Sequence, residues 1–135
     1  MMGKGGVRKL SYQNYNPNPS AARVGDCAVR AYAKATGRDW DDAYTALCAK
    51  GYAMKDMPSS DAVWGAALRD EGFRRRVIPD TCPECYTVAQ FAEDHPEGVF
   101  VVKVDGHVLT VENGEYFDAW DSGEETPLYF YEKGK

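Results

Sequence analysis

The sequence contains no long hydrophobic segment. No run of apolar residues approaches the roughly 18 that a membrane-spanning helix needs. The N-terminal MMGKGGVRKL also lacks the apolar core that a signal peptide carries. We therefore expect a cytoplasmic protein with no membrane partner.

Positive charge is also scarce. The chain has 16 Lys and Arg against 21 Asp and Glu, which gives a formal net charge of −5, and Arg74–Arg76 is its only basic cluster. Domains that attract nucleic acid present a basic patch or stripe. We therefore expect no nucleic-acid partner, and we interpret the three arginines as a solvated strand edge.

Metal ligands are few as well. The chain has two histidines and four cysteines, and without a secretory signal we expect the cysteines to be reduced thiols. Cys82 and Cys85 have the C-x-x-C spacing of a zinc site, which normally needs a second pair of ligands. Cys27 and His107 are candidates for a different site, so only Cys48, on an apolar helical stripe, and His95 remain as the second pair of ligands. We therefore expect no metal and no cofactor, and keep a structural zinc site as the alternative.

What the sequence does contain is typical of one globular domain. Its 135 residues are 44% hydrophobic and include nine Tyr, five Phe and three Trp, which argues against disorder. Residues 1–22 are rich in Gly, Asn and Pro and predict an extended N-terminal arm, followed by a single domain over residues 23–135. Apolar residues then recur four times at helical spacing. The predicted helices are Cys27–Thr36, Asp41–Lys50 closed by Gly51, Asp61–Glu71 capped by Ser60, and Val88–Glu93 starting at Thr87.

The second half changes to alternating strand patterns and turn dipeptides. Asp105-Gly106 and Asn113-Gly114 are typical of two-residue hairpin turns, whose central residues need positive φ. Together they predict an antiparallel meander, with one further strand before it and one after it. The predicted strands are FRRRVIP (73–79), Val99–Val104, His107–Glu112, Glu115–Asp121 and PLYFYEK (127–133). Helices first and strands afterwards predict an α+β fold, with N-terminal helices packed on a C-terminal antiparallel sheet.

The second hairpin brings a histidine close to an aspartate. If the Asn-Gly dipeptide forms the turn, His107 opposes Trp120 and shares a sheet face with Asp118. His107 and Asp118 are then diagonal neighbours with Cα atoms roughly 7–8 Å apart, a gap that an imidazole and a carboxylate can close with a hydrogen bond. Asp121 falls on the opposite face, and Asp118 is therefore the predicted partner.

Cys27 stands at the predicted start of the first helix, after the loop residues Gly25 and Asp26. A thiol there lies near unpaired N–H groups and the positive end of the helix dipole, which favour the thiolate. A neighbouring imidazole can take its proton, and a carboxylate can orient the imidazole. Cys27, His107 and Asp118 are therefore candidates for nucleophile, base and orienting group. Each is also compatible with an ordinary structural role, and Asp26 with an N-cap.

This order of a helix-borne Cys, a strand-opening His and an Asp on the next strand resembles the papain-like cysteine peptidases. Asp118-Ala119-Trp120 is similar to the Asn-Ser-Trp of papain. The segments GDCAVRAYAKATG and GHVLTVENGEYFDAWDSG resemble small uncharacterised papain-like proteins of bacteria and their phages, and the resemblance extends from about residue 14. It implies a papain-like minimal core in which Cys27 is the nucleophile, His107 the base and Asp118 the orienting residue.

The sequence departs from the papain pattern around the nucleophile and in its spacing. The signature C-G-[SA]-C-[WY] is absent, and His107 follows Cys27 by 80 positions, against roughly 130 or more in papain-like enzymes. No Gln occupies the place of an oxyanion donor a few residues before Cys27. Asn18, with Asn16 behind it, is the nearest amide that a loop could fold back beside the Cys27 N–H, although Asn-Pro repeats are also plain turn formers.

Two function classes follow from these residues. The first is a thiol hydrolase, a cysteine peptidase that cleaves an amide or isopeptide bond of a peptide or protein substrate through an acyl-enzyme. An amidase or acyltransferase would use the same three residues. The second is a non-catalytic papain-like interaction module, since Trp120 and Trp64 suit a peptide groove or a core equally. We favour the enzyme.

Overall fold

The computed structural model describes residues 11–78 and 86–134. Within these residues the chain forms four helices and one six-stranded sheet, which confirms the α+β fold class. The helices are α1 (Cys27–Thr36), α2 (Trp40–Met54), α3 (Asp61–Asp70) and α4 (Val88–Asp94). The strands are β1 (Tyr12–Asn14), β2 (Phe73–Val77), β3 (Val99–Val104), β4 (His107–Glu112), β5 (Glu115–Asp118) and β6 (Tyr129–Lys133). None of the helices in the described ranges has both the length and the apolar character that crossing a membrane requires.

Local sequence signals explain where most helices begin. A side chain accepts a hydrogen bond from a first-turn N–H at the start of three helices, Asp39 for α2, Ser60 for α3 and Thr87 for α4. Thr87 also forms a reciprocal capping box with Gln90. Gly37 ends α1 in the left-handed conformation that glycine adopts without strain. The predicted starts of α1, α3 and α4 are confirmed.

The predicted end of the second helix at Gly51 is wrong. α2 continues to Met54, and Lys55 takes the left-handed conformation that ends it, with a φ of 59°. Gly51 is buried, and a Cβ at this position would lie 2.7 Å from the Asp56 carbonyl oxygen and 3.2 Å from the Pro58 nitrogen. The glycine therefore permits the close approach of the following loop rather than stopping the helix.

The strands follow the order β1-β5-β4-β3-β6-β2 across the sheet. Both predicted hairpins form, with Val104 paired to His107 across the first turn and Glu112 to Glu115 across the second. The central residues of the second turn have φ values of 52° and 84°, as a type I′ turn requires. In the first turn the positive φ is confined to Gly106, and this turn is therefore not of type I′.

The N-terminal arm predicted over residues 1–22 contains a strand. Residues 1–10 lie outside the described residues, but β1 pairs in parallel with β5, with Tyr12 beside Tyr116 and Asn14 beside Asp118. The Tyr12 and Tyr116 ring centroids are 5.6 Å apart, and this aromatic contact holds β1 against the sheet. The prediction of a wholly antiparallel sheet is therefore wrong at this edge.

β5 is shorter than predicted and ends at Asp118 rather than Asp121. The chain turns after Asp118, where the Asp121 carboxylate accepts hydrogen bonds from the Tyr116 hydroxyl at 2.6 Å and from the Gly123 N–H at 2.9 Å. These bonds stabilise a turn in place of a longer ladder. The three pairs that β4 and β5 do form have the predicted register.

The sheet is covered on both faces. α1, α2 and α3 pack on one face against Val101 and Val108, while α4 packs on the other against Val102 and Leu109. Because side chains alternate along a strand, β3 and β4 are buried on both sides. His107, as the first residue of β4, is therefore held at the end of the most deeply buried part of the sheet.

Candidate active site

Cys27 is the first residue of α1 and is partly exposed. Asp26 occupies the N-cap position before it, but none of the described side chains caps the helix. The Asp26 carboxylate accepts hydrogen bonds instead from Trp40 Nε1 at 2.9 Å and from Arg30 Nη1. Asp26 is therefore the N-cap residue by position, as the sequence indicated, but its side chain does not cap the helix. The first-turn N–H groups, with the positive end of the helix dipole, are left beside the thiol.

His107 is buried and opens β4 directly after the first hairpin turn. Its Nε2 lies 2.6 Å from Asp118 Oδ2. The Trp120 ring lies against the imidazole, with 4.5 Å between the ring centroids, and is 45% exposed. The hairpin therefore brings together the histidine and the aspartate that its register predicted to be neighbours.

The Cys27 thiol is the second group that acts on His107, and hydrogen bonding and charge between the two shift the pKa of each. Burial by itself lowers the pKa of His107, but the hydrogen bonds and negative charges of Asp118 and Cys27 outweigh burial and raise it to about 9. The imidazolium form is therefore favoured at neutral pH.

The pKa of the Cys27 thiol shifts in the direction that favours a thiolate beside the imidazolium. Burial by itself raises the pKa of Cys27. The hydrogen bonds from His107 and from the Val108 N–H outweigh burial, and the positive charges of His107 and Arg30 act in the same direction. The pKa of Cys27 is thereby lowered below its ordinary value, and the pair favours the thiolate–imidazolium state.

The Asp118 carboxylate is 1% exposed and has two donors on each oxygen. Oδ2 accepts from His107 and, at 2.7 Å, from Ser122 Oγ. Oδ1 accepts from the Ala119 N–H at 2.8 Å and from Arg30 Nη2 at 3.2 Å. Burial raises the pKa of Asp118, but the hydrogen bonds from His107 and Ser122 and the charge of His107 hold it below its usual range. The carboxylate therefore stays ionised and fixed toward the imidazole.

Arg30 and Ser122 are the residues of this cluster that the sequence patterns did not single out. Ser122 lies in the irregular segment after β5, where no pattern connects it to Asp118. Arg30 does carry a signal, because it follows Asp26 by four residues, the spacing of a helical ion pair. It also interrupts a run of small apolar residues that α1 buries, and a charge at such a position indicates a buried partner.

Asn18 makes no hydrogen bond to Cys27 or His107 within the described part of the chain. Its Oδ1 accepts from the N–H of Ser20 at 2.9 Å and from the Ser20 hydroxyl at 2.8 Å. Asn16 Oδ1 accepts from the Asn18 N–H, and Asn16 Nδ2 donates to the Ala22 carbonyl. Both asparagines therefore stabilise local turns of the Asn-Pro repeat.

A cleft of about 680 Å³ opens beside the first turn of α1. The segment from Asn18 to Asp26 lines one side of it. α2 lines another side with Trp40 and Tyr44, whose rings stack with 4.9 Å between centroids and 10° between planes. Tyr44 is 45% exposed. The cleft therefore presents an aromatic surface next to the residues that flank Cys27.

Two other sequence predictions concern residues away from this cleft. Trp64 is buried and packs edge-on against Tyr131, so it belongs to the core and not to a groove. Cys82 and Cys85 lie outside the described residues. In the two described ranges, no three or more His, Cys, Asp and Glu side chains are grouped so that they could hold a metal ion. The absence of a metal site at Cys82 and Cys85 stays a prediction.

No protein-family model, curated protein or solved structure matches this chain. The chemistry of the site therefore has to follow from its own geometry. It combines a thiol at a helix start with an imidazole that interacts with this thiol and is hydrogen-bonded to a buried carboxylate.

Proposed function

We propose that this protein is a thiol hydrolase, a cysteine peptidase with a papain-like minimal core. Cys27 is the nucleophile, His107 the general base and acid, and Asp118 the residue that orients the imidazole. One observation carries the proposal: the imidazole of His107 is hydrogen-bonded to Asp118 and interacts with the thiol of Cys27, which lies at the start of a helix. Nucleophile, base and orienting group in direct contact are the arrangement that acyl transfer by a thiol needs.

The reaction begins from the thiolate–imidazolium pair. Cys27 Sγ attacks the carbonyl carbon of the scissile amide and forms a carbon–sulfur bond. The carbon–nitrogen bond then breaks, and the imidazolium of His107 gives its proton to the leaving amine. Water attacks the resulting thioester, loses its proton to His107 and releases the acid, which restores the thiolate–imidazolium pair.

The start of α1 supplies the group that stabilises the oxyanion. The Cys27 N–H belongs to a first turn that none of the described side chains caps. A backbone N–H directed at the developing negative charge is the usual donor in such sites. Asn18 Oδ1 accepts hydrogen bonds from Ser20, and none of the described contacts directs the Asn18 side chain at Cys27, so we assign no side chain to the oxyanion site.

The cleft at the start of α1, which Cys27 itself does not line, is the proposed binding site for the acyl part of a peptide substrate. It adjoins Asp26 and Ala28, the two chain neighbours of the nucleophile. The stacked rings of Trp40 and Tyr44 offer an apolar surface for a large aromatic or branched substrate side chain. An exposed aromatic surface that already has a fixed position binds such a group with little ordering of the protein.

Alkylation of the cysteines across pH tests the first requirement of this proposal. Iodoacetamide reacts with thiolates, and mass spectrometry of peptides identifies each modified cysteine. We expect Cys27 to label at about pH 6, while the other three cysteines lag, because its thiolate is stabilised. His107→Ala removes the difference. Equal labelling of all four cysteines at that pH would contradict an activated nucleophile, with the partly buried Cys48 of α2 as the internal control.

Hydrolysis of a p-nitrophenyl ester separates the enzyme from a non-catalytic module. We expect the wild type to release one mole of p-nitrophenolate per mole of protein in a burst, followed by steady turnover. The Cys27→Ser variant shows no burst. The pH profile of turnover is bell-shaped: its acid limb follows formation of the Cys27 thiolate, and its alkaline limb near pH 9 follows deprotonation of His107. A reactive Cys27 with no acyl-enzyme would favour the interaction module.

A further inference from the structure

Arg30 is a charged side chain held almost entirely out of water. It is 5% exposed, and a guanidinium buried without partners carries a large desolvation penalty. Its two terminal nitrogens bind two different buried carboxylates, Nη1 that of Asp26 and Nη2 that of Asp118 at 3.2 Å. Arg30 therefore links the start of α1 to the carboxylate that faces His107.

The Asp26 end of this link is anchored from a second helix. Asp26 is 6% exposed, and its Oδ2 accepts a hydrogen bond from Trp40 Nε1 at the start of α2. On its other side, the Arg30 guanidinium carbon lies 5.6 Å from the centre of the Trp120 ring. α1, α2 and the segment after β5 therefore meet around the guanidinium and restrict where it can lie.

The charges of the site alternate when the thiolate–imidazolium pair forms. Taken from the outer end, they are those of Asp26, Arg30, Asp118, His107 and Cys27. Without the guanidinium, two buried carboxylates and a thiolate would share one imidazolium. Negative charges buried side by side raise the pKa of the groups that carry them, which then bind a proton. A proton on the sulfur would abolish the thiolate–imidazolium pair, and a proton on Asp118 would remove the charge that stabilises it.

We propose that Arg30, held by Asp26, is a positioning residue for the thiol chemistry, fixing Asp118 Oδ1 so that Oδ2 stays ionised and directed at His107. This inference rests on the proposed function, because it concerns the same reaction. Arg30 binds the carboxylate oxygen that His107 does not use, whereas Ser122 binds the oxygen that it does use. Arg30 thus restrains rotation of the carboxylate without competing for the imidazole.

Arg30→Met and Arg38→Met form the matched pair of variants. Methionine keeps an unbranched apolar side chain but removes the charge and all donors. Arg38 is the control because it also pairs with a carboxylate, that of Glu71 at 2.9 Å, and takes no part in the alternating charges. Circular dichroism reports folding, thermal melting reports stability, and iodoacetamide labelling of Cys27 across pH reports the thiolate.

We expect Arg30→Met to move the labelling profile of Cys27 upward by about one pH unit or more. Turnover of a p-nitrophenyl ester falls roughly 10- to 100-fold in kcat with little change in KM, because the imidazole is misplaced while the cleft is intact. Arg38→Met lowers the melting temperature and leaves the profile in place. Arg30→Lys keeps a charge but reaches only one carboxylate, and its profile is intermediate.

An Arg30→Met protein that melts earlier but keeps the wild-type profile would overturn the proposal and leave Arg30 a structural residue. If Arg30→Met does not fold, Asp26→Asn decides the question. It removes the charge that anchors Arg30 and keeps the shape, and an unchanged profile again overturns the proposal. If wild-type Cys27 labels only in the ordinary thiol range, the proposed function fails as well. That outcome is read from the wild type before any Arg30 variant is compared.

Discussion

The two histidines of this protein lie in different surroundings. His95 follows α4, and its ring stacks on Phe91 with 3.9 Å between centroids and contacts Phe100 at 4.8 Å. Its Nδ1 donates to the Phe91 carbonyl at 2.7 Å. His107 instead interacts with a thiol and a carboxylate, those of Cys27 and Asp118. One imidazole packs as an aromatic ring, and the other is arranged for proton transfer.

The difference arises from partners that each local fold supplies. The α4 end offers His95 phenyl rings and a backbone carbonyl, so this histidine packs without a charged neighbour among its described contacts. The hairpin turn and the start of α1 offer His107 a carboxylate and a thiol. A histidine is therefore a candidate base only where the groups that contact its ring shift its pKa.

Replacing each histidine by alanine is expected to give the largest difference between the two sites. We expect His107→Ala to lower ester turnover roughly 10²- to 10⁴-fold, because the group that moves the proton is lost. His95→Ala loses a ring stack and a hydrogen bond, and we expect about 1–2 kcal/mol less stability with turnover unchanged. Steady-state assays of ester hydrolysis measure turnover, and chemical denaturation measures stability. A His95→Ala protein that is folded but inactive would contradict the assignment.

Removing the carboxylate tests whether the partner of His107 makes the difference. We expect Asp118→Asn to reduce turnover about a hundredfold or more, because the imidazole loses the charge that orients it and stabilises its protonated form. Asp121→Asn is the control, since Asp121 bonds to Tyr116 and Gly123 instead. Turnover and the Cys27 labelling profile are measured for both. The reverse ranking would mean that Asp121 takes the orienting role.

Two tyrosines of α2 test whether the cleft binds the substrate. Tyr44 lines the cleft and stacks on Trp40, whereas Tyr52 is 76% exposed and lies outside the residues that line it. We expect Tyr44→Ala to lower the preference for an N-acetyl-phenylalanine over an N-acetyl-glycine p-nitrophenyl ester about fivefold, the equivalent of about 1 kcal/mol. Tyr52→Ala leaves the ratio of the two kcat/KM values unchanged. Equal ratios in wild type and Tyr44→Ala would remove the cleft from substrate binding.

The smallest effect is expected at the remaining cysteine pair. Cys27 has an imidazole partner, while Cys82 and Cys85 lie outside the described residues. We expect the double variant Cys82→Ser with Cys85→Ser to fold normally and to keep the Cys27 labelling profile. Elemental analysis and melting with and without a chelator are the measurements. Stoichiometric zinc, or unfolding on chelation, would support the structural zinc alternative.

Much of the fold could be predicted from local patterns, because local physics determines it. Capping residues such as Ser60 and Thr87 satisfy first-turn N–H groups, so helix starts can be read from sequence. The Asn-Gly dipeptide selects a tight turn, and the turn sets the register that makes His107 and Asp118 neighbours. These contacts span few residues and need no information from distant segments.

Predictions from local sequence were wrong where contacts with distant segments determine the conformation. Gly51 reads locally as a helix stop, but the loop at Asp56 packs on it and the helix runs on. Tyr12 reads as part of a loose arm, but Tyr116 supplies a partner more than one hundred positions away. Asp26 is the N-cap residue by position, but Arg30 and Trp40 take the carboxylate that would cap the helix. In each case a tertiary contact outweighs a local preference.

Local sequence was sufficient for most helix starts, the Asn-Gly turn and the pair of strands that carry His107 and Asp118, because periodicity and turn chemistry act over short distances. The tertiary structure alone decided that Cys27 meets His107, 80 positions later, and that Arg30 closes a buried set of alternating charges. Burial and charge pairing depend on which surfaces pack together. These define the electrostatics of the site, and no single segment contains them.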